Sequence, residues 1–123
     1  MTVAFQVTED QLVSELWARD VPFLIGEQIS PAPLLETTTL IQSLAQSKEA
    51  RIRMALIPLL LRHPEFFSEV RKADLTMSSQ PSQLFLRFYY TAAFLLQKKY
   101  REQLLKIYGK QKRLPDLFSS KLG

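Results

Sequence analysis

The stretch ARIRMALIPLLLRH, Ala50 to His63, decides the fold of this chain. On a helical wheel of about 100° per residue with Arg51 at zero, Leu59, Ile52, Leu56, Leu60 and Ile57 spread over roughly 80° to 240°. Leu61 and Met54 widen that arc, and only Arg51, Ala55, Pro58 and Arg62 share the opposite, outward face. A helix apolar around most of its circumference must be wrapped by neighbours on most sides. The segment is therefore expected to be the central rod of a small helical protein. Pro58 lies inside it, removes a hydrogen bond and crowds the carbonyl four residues earlier, which predicts a kink. His63-Pro64 ends the rod.

Upstream, Ser47 is expected to cap this rod, with Glu49 in its first turn. Ser30-Pro31 opens the preceding helix, because serine accepts a free N–H at a helix start and proline is tolerated there. That helix should run to about Gln46 and bury Leu34, Leu35, Thr38, Ile41, Leu44 and Ala45. Thr8 with Gln11 fits a capping box, so the first helix begins at Glu9 and buries Leu12, Val13, Leu16 and Trp17. Phe23, Leu24 and Ile25 form either a second short turn or the same helix resumed after Pro22. Val3, Phe5 and Val7 read as an arm lying on the helices.

Downstream, Pro64 opens a short helix carrying Phe66, Phe67 and Val70, and Lys72 to Ser82 is the obvious loop. Pro81 opens the longest helix, with no breaker until Gly109. Its first half is apolar on several faces; its second keeps only Tyr100, Leu104 and Ile107 among charges and should leave the core. The tail after Lys110, with Leu114, Leu117 and Phe118, either docks back or stays free. The class is all-α: a compact bundle of about five helices with a long C-terminal helix. Residues 1–109 form one helical domain with a short arm, 1–7, and 110–123 form a basic tail.

A chain of 123 residues, 46% apolar, is long enough to build one core without disulfides or metal. It has no cysteine, which excludes disulfides, thiolate metal sites and a cysteine nucleophile. The opening residues lack a basic and apolar leader pattern, and the apolar run Met54 to Leu61 is far short of the roughly 20 residues that cross a bilayer. The expected location is cytoplasmic, with no membrane role. Charge is uneven: residues 1–96 carry eight Lys/Arg against ten Asp/Glu, and residues 97–123 carry eight against two. The basic end is thus the part fitted to an acidic partner or to nucleic acid.

Catalytic chemistry is hard to assemble from these residues. The one histidine, His63, has no obvious acid–base partner nearby in sequence and suits a helix C-terminus. One histidine and scattered carboxylates do not give zinc spacing, and Glu65 and Glu69 read as surface acids. With glycine only at 26, 109 and 123 there is no phosphate-cradling loop and no nucleophile elbow. The expectation is no enzyme, no cofactor, no metal and no small-molecule substrate. Arg53 falls near roughly 200° on the wheel, inside the apolar arc, and so needs carboxylates or carbonyls; Glu49 and Glu36 are the candidate partners.

Residues 34–62, a helix, then Ser47-Lys48-Glu49-Ala50-Arg51-Ile52-Arg53, then a second apolar helix, resemble one HEAT-type helical repeat. In that family an aspartate precedes a Val-Arg pair at the start of the second helix, and the arginine binds acidic side chains along the stack. Ile52-Arg53 matches the pair; Ser47 and Glu49 flank the aspartate position without matching it. The resemblance implies an orthogonal, HEAT-like packing and protein binding. A fainter likeness is to small helical proteins that accompany minimal nucleotidyltransferases in prokaryotic two-gene modules, some of which are ribonucleases of the HEPN family. The arginine that family places upstream of its histidine would fall at Leu56, Ile57 or Pro58, so the nuclease activity does not carry over.

Two functions follow. In the first the chain is a non-catalytic protein-interaction module, self-associating or bound to another protein through Phe85, Phe88, Tyr89, Tyr90 and Phe94, since aromatic anchors dominate interfaces. In the second it binds nucleic acid through Lys98, Lys99, Arg101, Lys106, Lys110, Lys112 and Arg113, with a steep salt dependence.

Overall fold

Thr8 sets where the chain becomes helical. Its hydroxyl accepts the Gln11 N–H at 3.2 Å, and Gln11 Oε1 accepts the Thr8 N–H at 3.0 Å, the reciprocal pair expected of a capping box. Helix α1 then runs Glu9–Ala18 and buries Leu12, Val13 and Leu16. Thr8→Ala removes the cap and is expected to lower stability by about 1 kcal/mol, read as a shifted urea midpoint. The structure, a computed structural model, describes residues 7–26 and 28–118. Val7 packs on the core; Val3 and Phe5 of the expected arm lie outside the described residues.

α1 closes in a Schellman turn. Asp20 takes a left-handed conformation, φ 64°, while Asp20 N–H donates to Trp17 O at 3.0 Å and Val21 N–H to Leu16 O at 2.9 Å. Phe23 to Ile25 form neither a new helical turn nor a resumed helix; only Leu24 is buried, and its carbonyl accepts Trp17 Nε1–H at 2.9 Å. The next helix also starts later than Ser30-Pro31. α2 spans Thr37–Gln46, and Leu34 is exposed. The cause is a competing acceptor: the Leu34 and Leu35 N–H groups donate to the Glu15 carboxylate at 2.9 to 3.1 Å, which holds this backbone against α1.

The central rod is two helices, α3 (Ala50–Arg53) and α4 (Leu56–Arg62), parted at Met54 and Ala55. Pro58 has no N–H for the Met54 carbonyl, which takes the Ile57 N–H instead at 3.0 Å; the regular ladder resumes with Leu59 N–H on Ala55 O. The kink therefore falls one turn before the proline. It also shifts the helical phase, so Ala55, expected on the outer face, is fully buried, while Met54 is exposed. Ser47 is not the helix cap: its hydroxyl accepts the Glu49 N–H at 3.2 Å, and Glu49 precedes the first turn.

A 3₁₀ turn over Pro64–Phe66 leads into α5, Phe67–Thr76. The expected loop shrinks to residues 77–79, because tertiary partners hold the last turn of α5. Gln42 Nε2 donates to Thr76 Oγ1 at 2.6 Å, Gln83 Nε2 to Asp74 O at 2.7 Å, and Arg87 grips the buried Asp74 carboxylate at 2.8 Å and 3.2 Å. α6 covers Gln80–Lys99 and α7 Arg101–Tyr108, with a break at Tyr100 in place of one unbroken helix. The break comes where the buried face ends: α7 buries none of its residues, and Gly109 ends it at φ 74°.

Among the described residues there is no strand; six helices of seven to twenty residues and the four-residue turn α3 make up the regular structure. That exceeds the expected five because two rods are each interrupted. α2 lies against α1, α5 and α6, and α4 lies along α6. Leu56, Leu59 and Leu60 of α4, Leu40, Ile41 and Leu44 of α2, and Leu86 and Tyr90 of α6 are fully enclosed. The segment set apart as a tail contributes to this core too: Leu114 and Phe118 are buried, and Gln97 brackets the backbone, donating to Lys112 O at 2.9 Å and accepting Leu114 N–H at 2.8 Å. No helix among the described residues is long and apolar enough to cross a membrane.

Candidate functional surfaces

A polar cluster is buried at the C-terminal end of α1. Glu15, 3% exposed, accepts Arg19 Nη1–H at 2.9 Å besides the two backbone N–H groups of Leu34 and Leu35. Arg19 Nη2 donates onward to Leu35 O at 2.7 Å. Burial alone pushes the Glu15 carboxyl up; the Leu35 N–H, Arg19 and the Leu34 N–H outweigh it and hold the group below its ordinary value. His63 joins the cluster, with Nε2 2.6 Å from Arg19 O and Nδ1 3.1 Å from the Glu65 carboxylate. The partner missed in the sequence is thus two residues away. Both ring nitrogens face acceptors and the ring stacks on Phe66, so His63 ties the end of α4 to the end of α1. Glu69 accepts the Ser68 hydroxyl at 2.9 Å and joins no cluster.

Arg53 finds neither expected carboxylate. Glu49, sitting at the cap position, pairs with Arg51 at 2.9 Å. Arg53 Nη1 instead donates to Ser47 O at 2.7 Å, and its guanidinium lies 4.1 Å over the Phe85 ring. The cation is held by a carbonyl and a ring face on the flank of α6.

The five aromatic residues of α6 separate by burial. Phe88 is 58% exposed and Phe85 lies at the edge of the same face under Arg53. Tyr89 and Phe94 are partly buried against the core. Tyr90 is not on the surface: it is fully buried, and its hydroxyl donates to Pro115 O at 2.6 Å. Two aliphatic residues complete the exposed face, Leu84 at 52% and Leu95 at 56% exposed. With Phe88 they fall within roughly 40° of one another on the wheel, a spacing visible in the sequence once the inner face is assigned to Leu86, Tyr90 and Ala93.

All seven basic residues singled out at the C-terminal end are exposed. Four of them, Lys98, Arg101, Lys110 and Arg113, line one groove of about 680 Å³ between α7 and the returning chain. Lys112 borders a smaller hollow of about 350 Å³ beside His63 and Tyr108; Lys99 and Lys106 border neither. Lys99 lies 5.4 Å from the centre of the Tyr100 ring. Among the described residues no three His, Asp or Glu side chains gather as metal ligands. Comparisons with protein-family models, with curated proteins and with solved structures find no match.

Proposed function

We propose that the chain is a non-catalytic protein-interaction module whose contact face is the outer side of α6, self-association being its simplest form. The observation that carries this is the exposed row Leu84, Phe88 and Leu95 on the longest helix, with Phe85 at its edge. Large apolar side chains exposed on a water-facing helix cost free energy until another surface covers them. A HEAT-like arrangement belongs to the same reading; α2 packs on both α3 and α4, and Arg53 bonds back to Ser47 O in the turn between α2 and α3. So does a cytoplasmic location, supported by the cysteine-free sequence. A second reading, nucleic-acid binding, is favoured by the seven exposed cations of the C-terminal end.

Sedimentation equilibrium tests the first. The chain is expected to associate, and Phe88→Glu to weaken that association more than about tenfold. Because Phe88 projects from the surface, the same variant should leave the urea midpoint nearly unchanged at protein concentrations low enough for both chains to be monomeric. A chain that stays monomeric at every concentration, or one whose association ignores Phe88→Glu, overturns the assignment of this face.

A further inference from the structure

The groove beside α7 differs from the α6 face in composition and in charge. One wall carries Lys98 and Arg101, and the other, the return after Gly109, carries Lys110 and Arg113. Leu104, Leu105 and Leu114 give it an aliphatic lining, and no Asp or Glu lines it among the described residues. Four cations facing one cleft without an internal counter-charge raise its potential and favour an anionic occupant. Its wall is fixed in advance: Gln111 Nε2 donates to Leu61 O at 2.8 Å and Leu114 N–H to Gln97 Oε1 at 2.8 Å, so the return is already ordered for binding.

We propose that this groove binds an acidic amphipathic segment of a protein partner, its carboxylates on the four cations and its aliphatic side chains on the leucines. A volume of about 680 Å³ accepts a few side chains, not a folded domain. Single-stranded nucleic acid satisfies the charge but not the lining: bases bind by stacking on aromatic rings, and among the described residues none lines this groove. The inference gives the interaction reading a partner chemistry at a second surface. It fails separately from that reading, because Phe88 does not line the groove.

Fluorescence anisotropy with the full chain tests it, using a labelled peptide of Glu-Glu-Leu-Leu blocks about 16 residues long. Charge-matched oligoglutamate and oligothymidylate serve as the comparison probes. At ~0.15 M salt the leucine-containing peptide is expected to bind at least about tenfold tighter than either. Lys110→Glu with Arg113→Glu should weaken it more than about tenfold, and Leu105→Ala, at an exposed position, about threefold. Leu105→Ala should leave any oligoglutamate binding unchanged, and Phe88→Glu should leave peptide binding unchanged. Tighter binding of oligothymidylate, which makes this a nucleic-acid groove, overturns the proposal. So does equal binding of all three probes, which reduces it to charge alone, and so does absence of peptide binding or indifference to the double charge reversal.

Discussion

Glu15→Gln is expected to cost about 3–5 kcal/mol of stability, because it strips the counter-charge from an arginine that stays buried. Arg19 is 8% exposed, and its Nη1 has Glu15 as partner through both the side chain and the backbone carbonyl. The amide that replaces the carboxylate offers one oxygen where two now serve three donors, so a backbone N–H at Leu34 or Leu35 also loses its acceptor. Equilibrium urea unfolding at neutral pH reads the loss. Acid adds a second signature. The folded-state carboxyl lies below its ordinary value of 4.5, so its contribution is present in full above that pH and drains away as pH falls through the folded-state value. Wild type should therefore lose this part of its stability in acid, and Glu15→Gln, which has already lost it, should show a shallower slope there. Replacing the pair by Glu15→Leu with Arg19→Met should recover only part of the loss, since apolar side chains repair the buried charge but not the two backbone N–H groups.

The same cluster shows where the sequence could be read and where it could not. Periodicity placed the apolar faces: Leu12, Val13 and Leu16, then Ile41, Leu44 and Ala45, then Leu56, Leu59 and Leu60 are buried as their spacing requires. Local chemistry at Thr8 and Pro64 placed two helix starts. Glu15 was legible in principle, for it sits between Leu12 and Leu16 with Arg19 one turn on, a charge pair inside an apolar stripe. The non-helical course of residues 30–36 was not, because Pro31 and Pro33 suit a helix start equally well. What decides against helix is a carboxylate 19 and 20 residues upstream. Thr76 and Asp74 are similar: their helical turn is held by Gln42, Gln83 and Arg87 from other helices. For the surfaces, residue type was legible and exposure was not. Tyr90 and Phe88 look alike in sequence, yet one is core and the other faces water, and the groove exists only because the chain turns back after Gly109.

Tyr90→Ala is expected to cost about 3–5 kcal/mol, the usual penalty for emptying a large aromatic site in a closed core. The side chain is fully buried, its ring meets Phe118 edge-on at 5.4 Å, and its hydroxyl holds Pro115 O at 2.6 Å. Removing it therefore releases a segment as well as opening a cavity, and the Arg113–Leu114 bond, now sealed by the buried Leu114, should become a fast trypsin site. Tyr90→Phe separates the two effects. It keeps the ring and loses one hydrogen bond, worth about 1 kcal/mol, so the trypsin site should stay protected. Alkali gives an independent check. Burial first, and then the charge of Asp116, push the Tyr90 hydroxyl well above its ordinary value of 10.0. That raised value contributes stability below the unfolded-state value, and the contribution is lost as pH climbs past it, because the unfolded chain ionises there while the folded chain does not. Wild type should weaken as pH rises beyond 10.0, and Tyr90→Phe should lack that component of the slope. Since Lys110 and Arg113 ride on the segment that Tyr90 anchors, Tyr90→Ala should also abolish binding of the acidic peptide while Tyr90→Phe retains it, which ties the groove to the packing beneath it.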